Sequence, residues 1–180
     1  HHDIALVEQR ANIDQLSGVY NRSYLESTCD EWLKEAKPNK TNVCCIVFDV
    51  DNFKQINDTY GHLAGDEVIK KIGAACSELI SGENSFVARF GGDEFVIILR
   101  NATQEAVFNK SREIFETLSR ISVTAENQEI RITISMGIVC NQSIIANRFT
   151  QLFKVADQAL YMAKNQGKNQ IVSLTNNCNI

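Results

Sequence analysis

Only one proline, Pro38, occurs in 180 residues, and there is neither an internal repeat nor a low-complexity stretch. Proline-rich spacers and repeat arrays are thereby excluded. The longest apolar runs fall far short of the ~20 residues that span a bilayer, and no segment reads as a secretory leader. No membrane contact by this domain is expected. Positive charge is also not in excess: 18 Lys and Arg stand against 22 Asp and Glu, a formal net charge of -4. No chain-wide field draws the protein to nucleic acid or anionic lipid. A phosphate ligand would have to be met by a few local cations, backbone N–H groups or metal. The six cysteines include no Cys-x-x-Cys pair. Cys44 and Cys45 are neighbours in an apolar run, and on a strand they would point to opposite faces. Neither a zinc site nor a disulfide framework is expected; reduced, partly buried thiols in a cytoplasmic domain are.

What is present suits one well-buried domain: 44% of residues are hydrophobic and 22% charged. Residues 3–16 read as a helix, with Ile4, Val7, Ala11 and Ile13 or Leu16 as apolar positions. It has little core of its own, so residues 1–13 are expected to be a connector to an upstream domain, and 14–180 the domain proper. His1 and His2 read as the remnant of a purification tag. Leu25, Cys29, Trp32, Leu33 and Ala36 keep helical spacing towards Pro38. Val43–Val50 is a compact apolar run that predicts a buried central strand. A polar loop, residues 57–62, is expected to lead into a helix from about Ala64 to Ile80. Phe86–Phe90 and Phe95–Leu99 flank Gly-Gly-Asp-Glu and predict a hairpin. A helix over 103–121, a half-buried strand over Ile130–Val139, a helix ending before Gly167 and a last strand over Ile171–Leu174 complete the pattern. Helices alternate with strands, but the hairpin forbids a purely parallel sheet. The fold class expected is α/β (α+β): a mixed, mostly antiparallel sheet flanked by helices.

Two glycines and two acids in a turn need no function, since glycine supplies positive φ and Asp forms turns readily. The second acidic site changes the reading. Asp49 ends an apolar strand, and Asp93 tops a hairpin that could lie beside it. Carboxylates converging at strand ends suit a hard divalent ion such as Mg²⁺ or Mn²⁺. Such an ion can neutralise a triphosphate and its leaving pyrophosphate.

The segment Arg89-Phe90-Gly91-Gly92-Asp93-Glu94-Phe95 resembles the signature of the GGDEF family, the diguanylate cyclases. Residues 14–22, Asp-Gln-Leu-Ser-Gly-Val-Tyr-Asn-Arg, resemble that family's opening segment, with Ser17 where Thr is usual. Residues 48–58, Phe-Asp-Val-Asp-Asn-Phe-Lys-Gln-Ile-Asn-Asp, match its metal and substrate segment. Gly61-His62 and Gly65-Asp66 continue it, and residues 157–164 are similar to its closing helix. Several spaced blocks in one order, over roughly residues 14–174, are much harder to reach by chance than one short motif.

The resemblance implies a nucleotide cyclase or polymerase palm fold. The implied activity joins two GTP molecules into cyclic di-GMP with release of pyrophosphate, across a homodimer. It implies metal ligation by Asp49, the Val50 carbonyl, Asp93 and Glu94, with Asp93 or Glu94 as proton acceptor and Lys54 stabilising the transition state. Asn57 and Asp66 would read guanine, His62 would line the pocket, Asn52 and Phe53 would present backbone N–H groups to phosphate, and Lys164 and Lys168 would hold the triphosphate. Outside the motif Lys54 reads as a solvated lysine, and Lys164 and Lys168 as helix-end charges. Many relatives carry Arg at Lys168; lysine keeps the charge but loses the bidentate fork. Gly82-Glu83-Asn84-Ser85 stands where many carry an Arg-x-x-Asp product-inhibition site, and has neither residue. The implied partners are GTP, a second copy of the domain and an upstream sensory domain, with no nucleic acid. The alternative is a catalytically silent GTP-binding signalling module; a third reading, a relative that makes cyclic GMP-AMP, is disfavoured by Asp66.

Overall fold

The computed structural model describes residues 11–174. Strand β1 (Val43–Val50) is buried at all eight positions, which is why its sequence is apolar everywhere but at Asp49. Its alternate residues serve two cores. Cys44, Ile46, Phe48 and Val50 pack with Val68, Ile69 and Ile72 of helix α3 (His62–Leu79). Val43, Cys45 and Val47 pack with Leu25, Cys29 and Leu33 of helix α1 (Arg22–Asn39). Helix α2 (Phe53–Tyr60) lies between β1 and α3 in the chain. Strands β2 (Ser85–Gly91) and β3 (Glu94–Arg100) form the expected hairpin. Helix α4 (Gln104–Leu118) buries Val107, Ile114 and Leu118 beside α3.

A separate two-stranded ribbon, β4 (Ser122–Ala125) with β5 (Gln128–Arg131), precedes strand β6 (Ile134–Cys140). Helix α5 (Phe149–Asn165) and strand β7 (Ile171–Ser173) close the domain. The main sheet has the order β2-β3-β1-β6-β7. Its pairs are antiparallel except β6 with β7, so the expected mixed, mostly antiparallel sheet flanked by helices is what forms. Helices α1 and α5 cover one face and α3 and α4 the other. Among the described residues no helix is long and apolar enough to cross a membrane.

Several local expectations are corrected. Residues 3–10 of the proposed first helix lie outside the described residues. Residues 11 and 12 are helical, but Ile13 forms a bridge with Tyr20 and Leu16 sits in a turn against the core. The polar stretch 57–60 is helical, as part of α2, because only Ile56 needs burial on that short helix. The single strand expected from Ile130 breaks at Thr133, where the chain leaves the ribbon for the main sheet. β6 itself is buried at every position rather than half-buried, because helices cover both faces. Finally, Cys44 and Cys140 are bridged as a disulfide, Cα–Cα 4.0 Å, against the expectation of reduced thiols throughout. The spacing rule looked along one strand, whereas the two residues face each other directly across β1 and β6. Both are 1% exposed, which shields the bridge from soluble reductants. Cys29, Cys45 and Cys76 are free and buried; burial pushes all three thiols upward, Cys76 to about 12.

Candidate active site

The acidic residues meet at the end of β1. Asp49, 7% exposed, stands directly opposite Glu94 on β3 and Ser135 on β6. The tight turn between β2 and β3 carries Gly92 at φ 51, a conformation that favours glycine. It folds Asp93 back so that its Oδ2 accepts from the Val50 N–H at 3.1 Å. Phe48 and Phe95 stack beneath, centroids 5.4 Å apart, fixing β1 against β3. Helix α5 brings in the local cation: Lys164 Nζ donates to Asp49 Oδ2 at 2.5 Å. The other carboxylate oxygen, Asp49 Oδ1, is buried and has no hydrogen-bond partner.

Burial pushes the Asp49 carboxyl up to about 6; Lys164 opposes this, and the neighbouring Asp93 and Asp51 add to it. Glu94 is pushed up to about 7, first by burial and then by Asp157, Asp49 and Asp93. Asp93 and Asp157 are raised as well, chiefly by burial. For Lys164, burial would lower the ammonium, but the bond to Asp49 and the charges of Asp49, Asp93 and Asp51 hold it above its ordinary value. The end of the sheet is thus a cluster of mutually raised carboxyl groups with Lys164 as counter-charge.

Among the described residues, no three acidic, His or Cys side chains form a ready-made chelate. A hard divalent ion nonetheless fits the chemistry here. Mg²⁺ usually takes only one or two carboxylates and completes its shell with phosphate oxygens and water. The orphaned Asp49 Oδ1 is an oxygen donor with nothing to bind, and Asp93 and Glu94 supply further carboxylate at the same strand end.

The other expected residues fall into two groups. At the first, Asn52 is left-handed (φ 58, ψ 32) and opens α2 without capping it through its side chain. Its Oδ1 instead accepts from Lys168 Nζ at 2.7 Å. Phe53 and Lys54 begin α2 rather than lying in a loop, and Lys54 is exposed. At the second, Asn57 lies one turn further on with a buried, unpartnered Oδ1. A Cβ at Gly65 would overlap that oxygen, so α3 needs glycine there for Asn57 to sit against it, one residue before Asp66. His62 is exposed at the start of α3, and no described contact joins it or Lys54 to the acidic cluster.

Four residues with no role assigned from the sequence prove to shape the site. Asp51 is 5% exposed and accepts three hydrogen bonds. Asp157 adds negative charge to Glu94; its place seven residues before Lys164 on one helix face was a usable signal. Arg89 donates Nε to the Gly92 carbonyl at 2.8 Å and Nη1 to Asp14 at 3.3 Å. Asp14 in turn accepts from Ser17 Oγ at 2.6 Å and Ser17 N at 3.0 Å. Both ends of that pair lie in recognisable motifs, but nothing in the sequence announces that they touch.

A family model described as "Diguanylate cyclase, GGDEF domain" matches residues 11–170. The chain is 34% identical over 166 residues to the probable diguanylate cyclase DgcT of Escherichia coli, a match covering 90% of this chain and 35% of that protein. The chain spans between about a quarter and about half of the length of the curated relatives it matches. Among solved structures, the GGDEF domain of DgcB from Caulobacter crescentus in complex with c-di-GMP superposes with a TM-score of 0.83 at 29% identity, covering 91% of this chain and 95% of that one. The diguanylate cyclase SiaD of Pseudomonas aeruginosa, in complex with its activator SiaC, gives 0.87 at 26% identity, covering 96% and 65%.

Proposed function

The chain belongs to the GGDEF family of diguanylate cyclases, and on that premise we propose that it condenses two GTP molecules into cyclic di-GMP with release of pyrophosphate. The observation that carries the reading is the intact acidic constellation. Asp49 and Glu94 face each other across β1 and β3, and Asp93 is tied to Val50, with Lys164 as the local counter-charge.

In this reading Asp49, the Val50 carbonyl, Asp93 and Glu94 would hold Mg²⁺ or Mn²⁺. The ion would stabilise charge on the α-phosphate oxygens and make the ribose 3′-hydroxyl easier to deprotonate. The chain's own residues do the rest. Asn57 and Asp66 read the guanine edge: Asp accepts from the N1–H and N2 amino groups, which adenine does not offer. Gly65 leaves the room that lets Asn57 reach its place. Backbone N–H groups at Asn52, Phe53 and Lys54 meet the β- and γ-phosphates, with Lys168 alongside. Lys164 leaves Asp49 for the triphosphate when that charge arrives. Glu94 or Asp93 receives the 3′-hydroxyl proton. Lys54 offsets charge developing in the transition state, and His62 lines the base pocket.

Each domain supplies one half-site, so two copies face each other across a two-fold axis. The segment Gly82–Ser85, which leads from α3 into β2, has neither the Arg nor the Asp of the common product-inhibition site. We further propose that the domain acts in the cytoplasm, where GTP is found, and that the N-terminal segment transmits a signal from an upstream sensory domain.

Incubation of the domain at high concentration with GTP and Mg²⁺, with Asp93→Ala as control, tests the proposal. Cyclic di-GMP forming only in the parent protein, at a rate rising faster than linearly with concentration, is the expected result. GTP binding without any cyclic dinucleotide would replace it with the silent-module reading.

A further inference from the structure

We infer that Asp51 is a positioning residue: it locks a left-handed corner at Lys168-Asn169 against the end of β1 and so aims Lys168 at the phosphate-binding start of α2. This deepens the proposed function and rests on its assignment of Lys168 to the triphosphate.

Lys168 and Asn169 are consecutive non-glycine residues at φ 62 and φ 50, a region that L-residues seldom enter. A similar pair of angles occurs at Glu126-Asn127, where the β4–β5 hairpin holds it; Lys168-Asn169 lies between α5 and β7 with no hairpin around it. Asp51 Oδ2 accepts from the Asn169 N–H at 3.0 Å and from Thr133 Oγ1 at 2.7 Å, and Oδ1 accepts from Ser135 Oγ at 2.6 Å. The Asp51 N–H donates to the Thr133 carbonyl at 2.9 Å. The carboxylate is therefore fixed by β6 on one side and grips the corner on the other.

The next residue in each segment completes the join. Asn52 Oδ1 accepts from Lys168 Nζ at 2.7 Å, so the dipeptides Asp51-Asn52 and Lys168-Asn169 are tied at both positions. Asp51 already accepts three hydrogen bonds from neutral donors and is 5% exposed, which leaves it little capacity to bind substrate itself. Its hydrogen bonds act on the site through where they place Lys168, while its charge also reaches Asp49 and Lys164. Because it works through accepted hydrogen bonds, an amide can replace it. In an Asp51→Asn variant the amide oxygen would accept from Asn169 and Thr133 while the amide nitrogen donates to the Ser135 hydroxyl.

The test uses the whole domain with Mg²⁺ and two probes. One is 3′-deoxy-GTP, which lacks the nucleophilic hydroxyl; the other is GMP, which keeps the base and lacks the outer phosphates. Asp51→Ala should weaken 3′-deoxy-GTP binding about tenfold and leave GMP within about twofold. Asp51→Asn should retain most of the affinity. Asp51→Ala combined with Lys168→Ala should bind no more weakly than Lys168→Ala alone. Equal losses for both probes, losses that multiply in the double variant, or an Asn variant as poor as Ala would each overturn the inference. If Lys168→Ala weakens binding and Asp51→Ala does not, the inference fails while the phosphate role of Lys168 stands. If Lys168→Ala itself has no effect, that role fails and the inference with it. Thr133→Val, which removes a single donor, gives the same comparison at a smaller several-fold loss should Asp51→Ala not fold.

Discussion

Lys164 Nζ sits 2.5 Å from Asp49 Oδ2, so a lysine neutralises the carboxylate at the end of the central strand. The same lysine is proposed to move to the triphosphate. Two demands on one cation give a distinctive expectation. Lys164→Met should raise the KM for GTP about tenfold and yet tighten Mg²⁺ binding measured without nucleotide, because Asp49 is then uncompensated. Isothermal titration with Mg²⁺ alone, set beside steady-state kinetics, reads both; weaker Mg²⁺ binding in the variant would contradict it.

Asp49→Ala and Asp93→Ala should each lower turnover by at least about a hundredfold. A thermal melt separates loss of the ion from loss of the fold. With Mg²⁺ and 3′-deoxy-GTP at about 100 times their dissociation constant, the parent should gain about 2.7 kcal/mol. That is a rise of roughly 5–10 °C for a domain of this size. Chelation by EDTA should abolish the gain, and the two variants should never show it while keeping a cooperative transition of their own.

The order of the main elements could be read from periodicity because β1, the hairpin and α5 each obey one rule at a time: an apolar run, a glycine turn, a helical stripe. The site residues were legible through motif spacing, since Asp49, Asp93 and Lys164 each fall inside a recognisable block. What stayed hidden depends on pairs distant in the chain. The strand breaks near Thr133 although the alternation runs smoothly through it, and there the Thr133 hydroxyl and carbonyl meet Asp51. Cys44 meets Cys140 through sheet register, and Asp14 meets Arg89 through the path of a turn. No local pattern encodes such meetings.

Gly65→Ala places a methyl where Asn57 Oδ1 now lies. The variant should lose about 1–3 kcal/mol in denaturant melts and raise the KM for GTP about tenfold as Asn57 is displaced. Discrimination against ATP should persist, because Asp66 remains. A variant with parental KM would show that Asn57 plays no part in reading the base.

For Asp14, burial raises the carboxyl, but the Ser17 hydroxyl and N–H and the Arg89 guanidinium outweigh it and hold the group below 3.8. A depressed folded value means stability that is present above 3.8 and lost as pH falls through the folded value. Asp14→Asn should therefore cost about 1 kcal/mol at pH 7. The gap between variant and parent should narrow steadily below about pH 4. Urea melts at pH 7 and pH 3 check this; a gap that widens in acid would reverse the assignment.

Micromolar cyclic di-GMP should leave the turnover rate unchanged, because Gly82-Glu83-Asn84-Ser85 offers no arginine fork to grip a guanine edge and phosphate together. Strong noncompetitive inhibition in an initial-rate assay would show that product binds elsewhere on the domain.

Val50 and Asp93 are 43 residues apart in sequence, and Lys164 and Asp49 are 115 apart. Contacts of such long range carry a large loop-closure cost and are typical of chains that fold slowly. No fragment of this chain can assemble the acids and the lysine; they meet only when β3, β1 and α5 have all docked. A metal ion held by these groups would therefore report that all three elements have docked.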